Sequence, residues 1–212
     1  MTTTPPTSLQ FTEEMKGHVT FGETDFALGA ESARADRRYF MFHLTIHIAD
    51  LDRFLDLPSH QGTAEGWVQC DALGGQRHVE QGTFNLFVDT DRPAERHMLY
   101  RLFIRDEADQ PVTMSGFKVI KDDGVDRIWH DTSTLYTKLL SGHVSADEEA
   151  GAIVLAAGIL IIQKAVFAHQ LTTFRVDGPT LAGRVAAATR FGKFFLGSLW
   201  EIYGIQMLPH PQ

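Results

Sequence analysis

Large apolar side chains occupy every second position from Phe40 to Ile48. Phe40, Phe42, Leu44, Ile46 and Ile48 share one parity, and Met41, His43, Thr45 and His47 share the other. A period of two over this length predicts a half-buried strand across residues 38–48. Asp50 follows as a helix N-cap, its carboxylate placed to accept from free backbone N–H groups, and predicts one helical turn over residues 51–55. Further strands are expected at residues 63–71, 78–89, 96–105, 112–121 and 126–140. Turns at Gly74-Gly75 and Asp122-Asp123-Gly124 supply left-handed backbone where the chain reverses.

These strands read as one motif written twice. Gly66-Trp67-Val68-Gln69-Cys70 aligns with Gly116-Phe117-Lys118-Val119-Ile120, and the run from Phe40 to His47 aligns with that from Met98 to Arg105. With a one-residue gap, Gly82 to Phe87 falls on Asp131 to Tyr136. Three strands per copy, over residues 38–89 and 96–140, is the simplest organisation. The predicted fold is mainly β: a barrel or sandwich of two similar three-stranded halves, with C-terminal helices packed on it.

Outside the doubled motif the pattern changes. Residues 1–10 are rich in Thr and Pro and predict a disordered tail before a β domain over residues 11–144. Residues 16–22 predict an edge strand, and residues 23–37 a loop. An acidic linker, residues 145–151, leads into a last segment, residues 152–208, packed on the β domain. That segment opens with an apolar run, residues 152–162, read as a buried strand interrupted by Gly158. The run is too short to cross a bilayer, which takes about 20 residues. A helix over residues 164–175 and a break at Asp177-Gly178-Pro179 come next. In the final helix Leu181, Val185, Ala188, Phe195, Leu199 and Ile202 fall near one side, with Gly204 as its stop. Phe191, Phe194 and Trp200 widen its apolar face. Such a helix is clasped by the β domain, docked on another chain, or laid on a membrane surface.

Composition narrows the functional classes. A formal net charge of −8 without a basic tract argues against a nucleic-acid partner. Fifteen Phe among 212 residues favour a deep apolar core or an apolar ligand cavity. The single Cys70 excludes an intrachain disulfide and a Cys-based zinc cluster. The N-terminus lacks the apolar run of a secretory signal, so the cytoplasm is the expected address.

One resemblance emerges from the motifs. Phe11-Thr-Glu-Glu-Met-Lys-Gly17, Gly116-Phe-Lys118 and Trp129-His-Asp-Thr-Ser-Thr-Leu-Tyr136 resemble runs in a poorly characterised segment of bacterial multidomain proteins, and His169-Gln-Leu-Thr-Thr-Phe174 and Leu199-Trp-Glu-Ile-Tyr-Gly204 look similar to its tail. The chain resembles that segment over residues 11–204. There it follows a GMC-type, sterol-oxidase-like flavin domain and can precede an α/β-hydrolase domain. This chain carries neither the Gly-x-Gly-x-x-Gly of the first nor the Gly-x-Ser-x-Gly of the second. The resemblance implies a free-standing accessory segment that carries or acts on a sterol-like or isoprenoid molecule. It brings over no catalytic residues.

Candidate chemistry comes from polar residues on apolar strand faces. Trp129, Asp131 and Ser133 share a face with Leu135 and Leu139 that begins and ends apolar. An inward Asp131 is then a candidate acid or base, raised in pKa by desolvation; otherwise its neighbours merely satisfy loop backbone. Lys118 lies between Gly116 and Ile120 on the face of Met114, where its stem is expected to snorkel toward water unless the amine is desolvated for catalysis. Tyr100 is a core aromatic with a polar tip, and the third tentative catalytic residue. Glu65 and Trp67 share a face that would oppose Lys118 if it were interior. His43 aligns with Arg101 and His47 with Arg105, giving either a ligand-binding polar surface or a solvated outer wall. Residues i and i+4 on a strand lie about 13 Å apart, so His43 and His47 are rejected as a metal pair. No metal and no redox cofactor is expected.

Three functions stay open. The first is a β domain that binds a hydrophobic small molecule, sterol-, isoprenoid- or polyketide-like, with a barrel interior fully packed by side chains as the observation against it. The second is a cofactor-independent isomerase or cyclase using an inward carboxylate. The third is an interaction module whose C-terminal helix makes a homo-oligomer or docks on an oxidase or hydrolase.

Overall fold

The computed structural model describes residues 5–31, 35–92, 95–121 and 132–207, with side chains as far as Phe195. Among the described residues ten antiparallel strands carry the fold: β1 (Ser8–Phe21), β2 (Arg37–Ile48), β3 (Gln61–Cys70), β4 (Gly75–His78), β5 (Gln81–Asp89), β6 (Glu95–Arg105), β7 (Pro111–Lys121), β8 (Thr134–Ser141), β9 (Val154–Ile161) and β10 (Arg175–Asp177). Neighbours follow the order β1-β2-β3-β5-β6-β7-β8-β9, and β9 returns to β1, so eight strands close into a barrel. Of the two expected architectures, barrel and sandwich, the barrel is the one formed. Among the described residues four complete α-helices accompany it: α1 (Phe26–Ala30), α2 (Leu51–Asp56), α3 (Lys164–Thr172) and α4 (Leu181–Met207).

Alternation decides what lies inside. Phe40, Phe42, Leu44, Ile46 and Ile48 are all buried, as their parity predicts, and the other parity of β2 faces outward. Met98, Tyr100, Leu102 and Ile104 line the interior from β6, and Val112, Met114 and Lys118 from β7. Asp50 caps α2 as expected, its side chain accepting from the Arg53 N–H. The Gly74-Gly75 reversal uses left-handed backbone at φ 84° and 89°. The hairpin at Asp122-Asp123-Gly124 lies outside the described residues.

Closure of the barrel depends on β1, which the expected tail and edge strand misplace. Ser8 to Gln10 are already strand, paired to β10, with Leu9 and Gln10 also paired to β2 on the other side. From Lys16 to Phe21 the second partner is β9, so β1 has a neighbour on both sides and is no edge. In the gap between β10 and β9 the Thr12 N–H is met by Thr173 Oγ1 at 2.9 Å. At this seam the two backbones come very close. A Cβ on Gly17 would stand 2.1 Å from the Ile159 carbonyl oxygen, and one on Gly158 would stand 2.0 Å from that of His18. Gly158 therefore does not interrupt its strand; it lets the strand seal the barrel.

Other differences have local causes. The expected loop over residues 23–37 contains α1, started by Asp25 accepting from the Leu28 N–H. The expected strand 78–89 is two strands, because β3 gives its Trp67–Cys70 end to β4 and its Gln61–Thr63 end to β5. The two stretches aligned as a doubled motif differ in register. Leu44 pairs with Gly66, whereas Tyr100, two residues short of the aligned Leu102, pairs with Gly116. The acidic linker is docked on the barrel wall: Arg101 and the Ser115 hydroxyl both donate to the Glu149 carboxylate. The helix beginning at Lys164 stops at Thr172, since Arg175–Asp177 leaves to pair with β1. In α4 the buried face is Ala187, Phe191 and Phe195, while Leu181 and Val185 are 69% and 58% exposed and Ala188 is exposed. The helix also continues past Gly204, which costs it only about 1 kcal/mol against Ala.

Those two Phe residues close one end of the barrel. Phe191 and Phe195 stack with centroids 5.6 Å apart, and both lie against Phe11 and Phe174. A bulge in β5, where Phe87 adopts φ 51°, turns that ring onto Phe194 and Phe195. An ion pair between Arg190 and Asp52 ties α4 to α2. Among the described residues no helix is long and apolar enough to cross a membrane.

Candidate functional site

One carboxylate breaks the apolar stripe of β1. Leu9, Phe11, Glu13 and Met15 point inward in alternation, so Glu13 is carried into the barrel by the parity that buries its neighbours. The side chain reaches across the interior. β1 and β6 stand four strands apart in the eight-strand ring, on opposite walls. From the far wall Lys118 Nζ donates to Glu13 Oε1 at 2.7 Å, and the Tyr100 hydroxyl donates to Glu13 Oε2 at 2.7 Å. Both charged side chains are sealed from water, at 4% exposure for Lys118 and 3% for Glu13.

Each oxygen of the carboxylate thus has one donor, and the net charge of the cluster is zero. Lys118 Nζ also stands 5.2 Å from the centroid of the Tyr100 ring, a cation–π contact. Burial first, and then the adjacent negative charge and hydrogen bond of Glu13, push the Tyr100 hydroxyl well above the usual tyrosine pKa. Tyr100 is therefore a neutral phenol across the physiological range, held as a donor.

Above the cluster sits the cap. Gln170 of α3 is 4% exposed, and its Oε1 has no hydrogen-bond donor among the described residues. Glu13, Tyr100, Lys118, Thr132 and Gln170 line one cavity with the apolar side chains of Phe11, Phe84, Met98, Ile162, Phe167 and Phe195. Its volume is about 10 Å³, room for the centre of one water molecule. That volume is too small for the expected isoprenoid-sized ligand.

Comparison of the chain with protein-family models, with curated proteins and with solved structures finds no match. The likeness to the accessory segment of flavin and hydrolase proteins therefore rests on the quoted motifs alone.

Of the anticipated site residues, Lys118 and Tyr100 meet in this cluster. Lys118 does not snorkel to water, because a partner for its charge comes from the opposite wall. That partner is Glu13, not Glu65. Glu65 is 72% exposed on the outer wall, where His47 faces it at 3.7 Å. His43 and Trp67 stack on the same outer wall, centroids 5.6 Å apart, and His43 also faces Glu14 at 3.8 Å. Arg101 is likewise outside, bound to Glu149 and to the Val144 carbonyl. These five residues are thus apart from the interior site. Ser133 is buried at the same end as the cap, its backbone carbonyl accepting from the Ile162 N–H. Asp131 and Trp129 lie outside the described residues. Among the described residues no group of three or more His, Cys, Asp or Glu can hold a metal ion.

Proposed function

We propose that the barrel binds an apolar small molecule, sterol-, isoprenoid- or polyketide-like, and recognises one polar group on it through the Glu13–Lys118–Tyr100–Gln170 cluster. The observation that carries this reading is a water-sealed ion pair at the capped end of a closed barrel. Well-packed apolar residues of similar volume commonly serve a core as well or better, so stability alone does not account for the charges. Polar groups converging on an apolar pocket are the ordinary make-up of a ligand site, and eight-stranded barrels are wide enough to hold one small ligand. With about 10 Å³ free, a molecule of isoprenoid size enters only when Phe195 of α4 moves out of its way.

Native mass spectrometry of the purified protein tests this. The expected result is a noncovalent adduct of small-molecule mass, with higher occupancy in a Phe195→Ala variant that widens the cavity. Bare chain mass for both proteins, in conditions that preserve weak complexes, counts against binding.

A second reading is favoured by the hydrogen bond between the Tyr100 phenol and the Glu13 carboxylate beside an ammonium, an acid–base pair inside an apolar pocket. The activity would be a cofactor-independent isomerisation or cyclisation, with Glu13 as the inward carboxylate. Chromatography of a recovered ligand after incubation with fresh protein distinguishes the two: a new isomer of equal mass, absent with Glu13→Gln, supports catalysis, and unchanged ligand leaves binding alone.

A further inference from the structure

We infer that the molecule bound beneath the cap presents a neutral hydroxyl group to Gln170 and Lys118, and so belongs to the class of apolar alcohols. This rests on the binding reading above and specifies its ligand. Gln170 is 4% exposed, its Oε1 lacks a donor among the described residues, and Gln170 lines the same cavity as Lys118. A buried acceptor in that state calls for a donor from whatever fills the cavity.

The charges on the walls decide which donor. Glu13 already receives Lys118 and Tyr100, and the pair is neutral. A ligand carboxylate has no proton for Gln170 and would bury a second negative charge beside Glu13. An alkylammonium would donate to Gln170, but it would stand beside the ammonium of Lys118. A hydrocarbon end leaves the Gln170 oxygen unmet. A hydroxyl donates to that oxygen, and its own oxygen is an acceptor suited to a wall bearing an ammonium, with no charge buried. Phe11, Phe84, Met98, Ile162 and Phe195 make the remaining walls apolar, matching a carbon body with one such group.

The test uses the full chain with its methionine methyls labelled for NMR, since Met98 lines the cavity and is 2% exposed. Decan-1-ol, decanoate, decylammonium and decane are titrated against the Met98 resonance at neutral pH. Decan-1-ol is expected to shift it at a concentration at least about tenfold below that required for the other three, as a lost hydrogen bond with an unmet partner implies. A Gln170→Met variant is expected to lose about tenfold for decan-1-ol and to leave decane unchanged. Equal or tighter binding of decanoate overturns the inference while leaving the binding reading intact. So does an alcohol preference that survives in Gln170→Met. No shift of Met98 with any of the four removes both. The comparison of ligands on the unmodified chain stands even if the variant does not fold.

Discussion

Replacing Lys118 by Met strands the Glu13 carboxylate. The methionine fills most of the volume of the lysine stem, so packing changes little, but Glu13 loses the donor at 2.7 Å and keeps only Tyr100. With both side chains at 3–4% exposure, bulk water does not reach them. Breaking one side of a buried ion pair in this way costs about 3–5 kcal/mol. Glu13→Gln strands the ammonium instead and falls in the same range of about 3–5 kcal/mol. Additive behaviour would then put the double variant about 6–10 kcal/mol below the parent. In Glu13→Gln/Lys118→Met, however, no charge is left, and the glutamine carbonyl still accepts from Tyr100. What remains is one unpaired amide group, at about 1–3 kcal/mol. The double-mutant cycle should therefore show a coupling above about 2 kcal/mol, beyond the few tenths typical of independent sites. Urea unfolding at pH 7, with equal m-values across the four proteins, measures it. Additivity within about 0.5 kcal/mol would refute the cross-barrel pair.

Three more expectations test the surrounding structure. Tyr100→Phe removes a donor to a buried carboxylate and should cost about 1–3 kcal/mol. Because burial raises the Tyr100 pKa in the folded state, its protonated form contributes stability that is full below the unfolded value of about 10 and is lost as pH rises toward the folded value. Stability of the parent should thus fall more steeply above about pH 10 than that of Tyr100→Phe, and parallel curves in urea titrations would contradict the burial. At the seam, Gly158→Ala drives a methyl to 2.0 Å from the His18 carbonyl and should lower stability by about 1–3 kcal/mol or more, whereas Gly151→Ala, with open space around it, should stay within about 0.5 kcal/mol. Equal melting temperatures for those two variants would mean that β1 and β9 do not close the barrel there. Truncation before Gly178 removes Phe191 and Phe195 from the core and should expose enough apolar surface to bind a hydrophobic dye or to aggregate. A truncated chain that melts like the parent would make α4 an appendage.

The alternating faces of the strands were largely readable, since the apolar parity of β2, β6, β7 and β8 is the one the structure buries, but alternation left barrel and sandwich open. Two residues of the candidate cluster were singled out too, although Lys118 was expected to reach water. Lys118 on an apolar face and Tyr100 in the core were both visible as exceptions or polar tips. Glu13 carries the same signal, a carboxylate in the parity of Leu9, Phe11 and Met15, but it lies upstream of the Lys16 where the edge strand was expected to begin. The pairing itself was not readable. Lys118 and Glu13 are 105 residues apart, and alternation gives the face of a strand without saying which wall it confronts. The helical cap was obscured for another reason. With apolar residues on nearly every side of α4, periodicity alone did not choose Phe191 and Phe195 over Leu181 and Val185. The glycines of the seam show the same limit: a Gly inside an apolar strand marks either a break or a close approach, and only the partner backbone distinguishes them.

A ligand site is proposed at the capped end of the barrel, at Glu13, Lys118, Tyr100 and Gln170. A high-resolution crystal structure of the protein purified without stripping bound molecules addresses it most directly. Elongated electron density is expected that begins within hydrogen-bond distance of Gln170 Oε1 and runs between the walls past a displaced Phe195. A single water on Gln170, with Phe195 packed as it is in the closed form and the ion pair untouched by any ligand, would contradict it.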